Sequence, residues 1–350
     1  MKPVAICNSL LSQHRNVMSK IPGWIEWLKE HNIPYEYVDC YSHDIISKLP
    51  KYSALLWHYQ NFVNADLMEA QHILDIAAKM GLKVFPDHNT GWHFDDKIAE
   101  MYALQAAGAP IPNSWVFYEP DKCINWLQHG AHYPLVAKLR RGSGANNVKL
   151  LKTPQKAIRY AKRMFSRGFQ PAPSLLYKTY SKVQSTKDFK TFVARLRQIP
   201  NFLWSRRFGK GMPVEKGYCY FQQFIENDGF DIKVAVVGDK CSYIARHARK
   251  GSFKASGGGA CFRDDKIMTE QIIRSAFEAS DAIGMQCVGL DYVVDKYISK
   301  GLIIEICFGN GVLEEIYDIG GYWDRELIWH NEPLNVTVEV IQNLLLYVNA

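Results

Sequence analysis

At 350 residues the chain has room for about two or three compact units, which excludes a peptide-sized or disulfide-dependent scaffold. Its 47% hydrophobic and 22% charged residues supply a buried core and exclude wholesale disorder. Lys and Arg number 42 against 35 Asp and Glu, and the meaning of the net +7 depends on whether that charge is spread or clustered.

In chain order, Val4 to Cys7, Tyr35 to Val38, Ala54 to Trp57 and Lys83 to Phe85 read as strands. Between them Trp24, Ile25, Trp27, Leu28 and then Ala70, Ile73, Leu74, Ile76, Ala77 recur at helical spacing. This alternation predicts a small parallel sheet with helices on its faces. No GxGxxG follows the first strand, so a dinucleotide site is not supported. A helix from Asp96 to Ala107 is ended by Gly108, and Pro110 and Pro112 keep it from resuming. Next come a strand (Ser114 to Tyr118), a short helix near Ile124 to Leu127 and a strand (Leu135 to Lys138). The turn Arg141-Gly142-Ser143-Gly144-Ala145 leads into the strand Val148 to Leu151, and Thr153-Pro154 caps a helix with an Ala157, Ile158, Ala161, Met164, Phe165 stripe. Residues 169–217 are basic, aromatic and weakly patterned. Strands then follow at Tyr218 to Ile225, Ile232 to Val237, Cys241 to Ala245, Val288 to Val294 and Leu302 to Cys307, with a helix from about Thr269 to Ile283. Val336 to Val348 is an apolar helix or strand.

The eight cysteines are scattered without a CxxC, which points to a reducing compartment and against structural zinc. The first residues lack a signal-peptide core and no apolar run approaches the roughly 20 residues of a spanning helix, so a cytoplasmic protein is expected.

Three segments could carry chemistry. A lysine after a strand, followed by a small-residue turn, can place an ammonium and free N–H groups around phosphate oxygens, and Lys138 with Gly142-Ser143-Gly144 fits; a hairpin with a solvated lysine is the plainer alternative. Asp291 and Glu305 sit in apolar strands, where carboxylates need a cation or another partner. Together they suit Mg²⁺; the alternative is a bond to backbone or to a cation such as Arg246. The run from Arg246 to Ala260, with Lys254 and the glycines 257–259, reads as a mobile flap near anionic charge or as a plain surface loop.

The order of these segments resembles the ATP-grasp superfamily, in its branch of RimK-like and glutathione-synthetase-like carboxylate–amine ligases, from about Asp95 to Val312. Asp96-Lys97…Gly108-Ala109-Pro110-Ile111-Pro112 is similar to the family's DK…GIPxP segment, and Tyr133-Pro134-Leu135-Val136-Ala137-Lys138 to its FPLVxKP strand. Gln222-Gln223-Phe224-Ile225 with Gly229-Phe230-Asp231-Ile232-Lys233 is similar to QEYI…GxDIR. The resemblance implies an α/β and α+β protein: a Rossmann-like pre-ATP-grasp domain (1–92), a central lid subdomain (93–217) and a C-terminal subdomain with metal site and flap (218–350). It implies ATP and Mg²⁺ as cofactors. Lys97, Lys138 and the loop Gly142, Ser143, Gly144 would meet the phosphates. Gln222, Gln223, Phe224 and Ile225 would form the adenine hinge, and Asp231 would reach the ribose. Arg246 and Lys254 would act catalytically beside the acyl phosphate, and Asp291 and Glu305 would hold metal. The implied reaction transfers the γ-phosphoryl group to a carboxylate, which an amine then attacks. Two departures stand out: Gln223 replaces the usual Glu, and Glu305-Ile306-Cys307 replaces Glu-x-Asn, with Asn310 a conceivable substitute ligand.

A larger departure is the insertion at 169–217. From Lys149 to Lys216 there are 17 Lys and Arg against Asp188 and Glu215, a net of +15, so the other residues together carry −8. Such a segment, with Phe189, Phe192, Trp204 and Phe208, suits an anionic glycan, including a uronic-acid glycan or its lipid-linked precursor, or the inner face of an anionic membrane; a solvated basic face is the alternative. The expected activity is therefore amide formation on a carboxylate, with a link to polysaccharide biosynthesis and no nucleic-acid partner. The alternatives are a kinase of a polyanionic small molecule and a nucleotide-binding module without catalysis; the oligomeric state stays open.

Overall fold

The structure, a computed structural model, describes residues 2–7, 20–61, 63–142, 147–171, 212–248, 253, 260–308 and 320–346. β1 (Val4–Cys7), β2 (Tyr35–Val38), β3 (Ala54–Trp57) and β4 (Lys83–Phe85) form a parallel sheet in the order β2-β1-β3-β4. The central strands β1 and β3 are apolar and wholly buried, as strands covered on both faces must be. Helix α1 (Ile21–Glu30) buries Ile21, Trp24, Trp27 and Leu28. The short α2 (Ile45–Lys48), the long α3 (Asn64–Lys79) and the short α4 (His88–Gly91) make the remaining connections.

Helix α5 (Lys97–Ala106) starts at Asp96, whose carboxylate accepts the N–H groups of Ile98 and Ala99, each at 3.1 Å. β5 (Ser114–Phe117), α6 (Pro120–His129), β6 (Leu135–Lys138), β7 (Val148–Leu151), α7 (Pro154–Met164) and β8 (Cys219–Gln223) make an antiparallel sheet, order β5-β8-β6-β7, covered by α6 and α7. Alternation along β6 sends Leu135 and Ala137 into the core beneath those helices and leaves Val136 and Lys138 facing the other way. Residues 172–211, most of the insertion, lie outside the described residues. Its two roots are joined, because Phe169 and Glu215 exchange backbone hydrogen bonds of 3.0 and 2.9 Å.

β9 (Phe230–Val237), β10 (Lys240–His247), β11 (Cys261–Phe262), α8 (Glu270–Ile283), β12 (Cys287–Val294), β13 (Gly301–Cys307), β14 (Tyr322–Trp323), β15 (Trp329–His330) and α9 (Val336–Leu345) complete the described chain. The strands form one sheet ordered β13-β12-β9-β10-β14-β15, with β11 on β10. Helix α9 resolves the choice left open at the C-terminus, and it packs on α1, β4 and β9. One hydrophobic core consequently runs through the parallel sheet and the large sheet, while the middle sheet has its own.

Candidate active site

A cleft of about 750 Å³, counting its open mouth, separates the middle sheet from the large one. Its walls are largely apolar: Val136, Val148, Phe224, Phe253, Val293 and Ile304. Gln222, Gln223, Phe224 and Ile225 carry the chain from β8 toward β9 along this cleft, and Phe224 meets Phe253 edge-on with ring centroids 6.2 Å apart. Polar groups gather at one end: Lys138, Asp231, Asp291 and Glu305.

The geometry of β13 explains this end. It is the edge strand of the large sheet, and a register shift between Asp291 and Tyr292 leaves Ile304 as an extra residue on β13. The freed Ile304 carbonyl accepts a 2.8 Å hydrogen bond from Lys138 Nζ. Along the same edge Ile303 N–H donates to the Pro110 carbonyl at 2.7 Å, and Ile306 N–H to Glu100 Oε2 at 3.3 Å. Strand β13 is thus held against α5 and β6, the elements that bring in the cations.

Lys97 is 4% exposed; its Nζ donates to the Gly142 carbonyl at 2.7 Å and lies 3.4 Å from Glu305. Burial works against its charge, but Glu305, Glu100 and Asp95 outweigh burial and raise the ammonium above the usual lysine range. Lys138, equally buried, also has carboxylates near it in Glu305, Glu100 and Asp291, but burial, helped by the neighbouring Lys97 ammonium, outweighs them and pushes it down to about 8. Burial also pushes the Glu100 carboxyl up to about 8 and that of Asp95 up to about 6. Lys138 lines this end of the cleft and Lys97 lies behind Glu305, two lysines whose charge comes without bulk water around it, which suits oxyanions.

Below it, four buried charges alternate across β9, β10 and β12. Arg246 grips Asp231 through two hydrogen bonds of 2.8 and 2.7 Å and lies 3.4 Å from Asp291, which in turn lies 2.5 Å from Lys233. Pairing register makes this row: Arg246 faces Asp231, and Asp291 faces Lys233. The resemblance gave Asp231 to a ribose and Arg246 to an acyl phosphate; in the structure both oxygens of Asp231 are engaged by Arg246, because a buried guanidinium and a buried carboxylate each lose more alone than together.

Asp291 and Glu305 are register partners and both line the cleft. Burial disfavours the Asp291 anion, but Lys233 and Arg246 overcome this and hold its carboxyl below the usual range, so it is ionised. Among the described residues no group of three or more His, Cys, Asp or Glu could hold a metal. Two carboxylates nevertheless fit Mg²⁺, which takes one or two from protein and fills its other positions with water and phosphate oxygens. From β13 the cleft lining is Ile304 and Glu305; Cys307 is half-buried further along.

The structure therefore brings Lys97, Lys138, Gly142, the 222–225 hinge, Asp231, Arg246, Asp291 and Glu305 to one region. Ser143, Gly144, Lys254, the glycines 257–259 and Asn310 lie outside the described residues. Three residues went unassigned in the sequence: Asp95, Glu100 and Lys233. Glu100 carried a signal, since it interrupts the buried face Lys97, Ile98, Met101, Leu104 of α5. So did Lys233, a cation between the buried Ile232 and Val234.

No protein-family model matches the chain. Over 148 residues it is 30% identical to the tetrahydromethanopterin:alpha-L-glutamate ligase of Methanosarcina acetivorans, a stretch covering 37% of this chain and 42% of that relative, so under half of that protein is matched. Among solved structures, a RimK domain ATP-grasp protein from Sphaerobacter thermophilus superposes with a TM-score of 0.53 at 13% identity, covering 98% of this chain and 99% of that one. The D-alanine–D-alanine ligase of Bacillus anthracis complexed with ATP gives 0.51 at 10% identity, covering 89% and 88%. The fold is the ATP-grasp fold.

Proposed function

We propose that the protein is an ATP-dependent ligase that joins a carboxylate to an amine through an acyl phosphate. One observation carries this reading: buried Lys138, and Lys97 behind Glu305, gather with two register-paired carboxylates at one end of a largely apolar cleft, in an ATP-grasp fold. A glutamate ligase among the relatives and a D-alanine ligase holding ATP among the structural neighbours support it. The apolar walls and the 222–225 hinge take the base of ATP, and Lys97 and Lys138 bind and orient the phosphates. Asp291 and Glu305 would hold Mg²⁺, which when bound neutralises charge on phosphate oxygens. With the γ-phosphoryl group so placed, a substrate carboxylate oxygen attacks phosphorus and ADP leaves; the amine then attacks the acyl carbon and phosphate leaves. Lys254 remains a candidate for the acceptor side. The test is product analysis: ADP and free phosphate form only when carboxylate and amine are both present, whereas phosphate retained on the acceptor would make the protein a kinase.

For the acceptor we favour a soluble anionic chain such as a uronic-acid glycan. Lys152, Lys156, Arg159, Arg163 and Arg167 are exposed at steps of three or four residues, one stripe along and just beyond α7. The opposite face, Ala157, Tyr160, Ala161 and Met164, is buried in the core of the middle sheet, so α7 has no apolar face free to enter a membrane.

A further inference from the structure

Asp95, the residue before the α5 cap, is unusual in three respects. Its backbone is left-handed, with φ +58°, a conformation that Asp tolerates better than most side chains. It is 8% exposed. Its Oδ1 accepts the Gly142 N–H at 2.9 Å and the Asn61 amide at 3.3 Å, while its Oδ2 is buried without a hydrogen-bond partner.

Gly142 is where β6 leads into the glycine loop, and both of its backbone polar groups are taken by side chains two residues apart: Asp95 holds the N–H, and Lys97 holds the carbonyl. A larger residue would be strained here, since φ is +111° and an added Cβ would lie 2.1 Å from the Asn147 side-chain amide, which would have to shift. The two holds are unequal in what they must also do. Lys97 is the cation nearest Glu305 among the described residues, and its three-donor ammonium shares its hold on the Gly142 carbonyl with that carboxylate and with any phosphate oxygen that enters. Asp95 serves only groups of the fold itself, the Gly142 N–H and the Asn61 amide, and its charge favours the ammonium of Lys97. A buried carboxylate with one unsatisfied oxygen is costly, so its presence calls for a compensating role.

We propose that Asp95 is a positioning residue that keeps the root of the glycine loop in place when Lys97 also takes a nucleotide phosphate, a proposal that rests on the ATP reading of the cleft. The informative variants are Asp95→Gly, which removes the carboxylate and suits the left-handed backbone, and Asp95→Asn, which keeps an acceptor oxygen. In nucleotide-free protein the Gly142 amide should exchange with solvent about tenfold faster or more in Asp95→Gly, with the β6 amides unchanged and with slow exchange restored in Asp95→Asn. In steady-state assays Asp95→Gly should raise KM for ATP by about tenfold with kcat changed much less, and Asp95→Asn should recover most of it. Equal Gly142 exchange in wild type and Asp95→Gly, or faster exchange across all of β6, overturns the proposal. Failure of the wild type to bind ATP would instead sink the ATP reading, and the exchange comparison would still decide whether Asp95 holds the loop.

Discussion

Lys138 and Glu100 show how the same burial acts in opposite directions on opposite charges. Lys138 loses its proton in the folded protein near 8, so ATP affinity should fall as pH rises through 8, the range in which its charge disappears. Binding isotherms on either side of that pH check this. Lys138→Met should remove the break and weaken binding by roughly 10- to 100-fold, the worth of a charged hydrogen bond of about 1.5–3 kcal/mol. Glu100 holds a proton in the folded state up to about 8, against an ordinary 4.5. Between those values the folded state binds a proton the unfolded chain lacks, so this group makes stability fall as pH rises, by at most about 1.4 kcal/mol per pH unit. Asp95 adds the same sign below about 6. Denaturant midpoints measured across the window should lose most of that slope in Glu100→Gln. These shifts were not readable in the chain beforehand. Asp291 and Glu305 stood out as charges among apolar neighbours and Lys97 through its motif, but that Asp231 and Arg246 grip one another became visible only once β9 and β10 were in register.

Among the elements, those with strong local signals stood in the sequence nearly as they stand in the fold: the four alternating apolar runs of the parallel sheet, and helices capped by Asp96, Thr153 and Thr269. Two kinds escaped. β14 and β15 are two residues each, too short for any period, and are held by pairing with β10 and with each other. Helix α9 is rich in β-branched residues, and what settles it as a helix is the Asn335 side chain accepting the Val338 N–H, together with packing on α1. The stripe on α7 has its own test. Reversing Lys152, Lys156 and Arg159 to Glu together should weaken binding to a polyuronate by tenfold or more at low salt while leaving thermal stability nearly unchanged, since all three are exposed and α7 packs through its other face. Unaltered polyuronate binding, or loss of binding to anionic vesicles alone, would count against the glycan acceptor.

At the level of the whole chain, the arrangement of cores makes a prediction that domain boundaries drawn from sequence do not. The parallel sheet and the large sheet share one core, closed by α9 against α1. A protein lacking residues 1–92 should therefore lose the cooperative melting of the large sheet as well, rather than retain an independent ATP-grasp unit; calorimetry of the truncated and full chains compares the two. The modest +7 likewise conceals an arrangement: the basic 149–216 segment and an acidic remainder lie in one chain, with the roots of the insertion fastened at Phe169 and Glu215.

A ligase of this kind activates a carboxylate as an acyl phosphate within the cleft. The most direct measurement supplies a candidate acceptor with ¹⁸O in its carboxylate, together with amine and ATP, and follows the label by mass spectrometry. ADP and an amide should form in equal amounts, with one ¹⁸O in each inorganic phosphate released, and all three should fall sharply in Lys138→Met when ATP is held near the wild-type KM. Unlabelled phosphate, AMP as the nucleotide product, or phosphate left on the acceptor would contradict this activation.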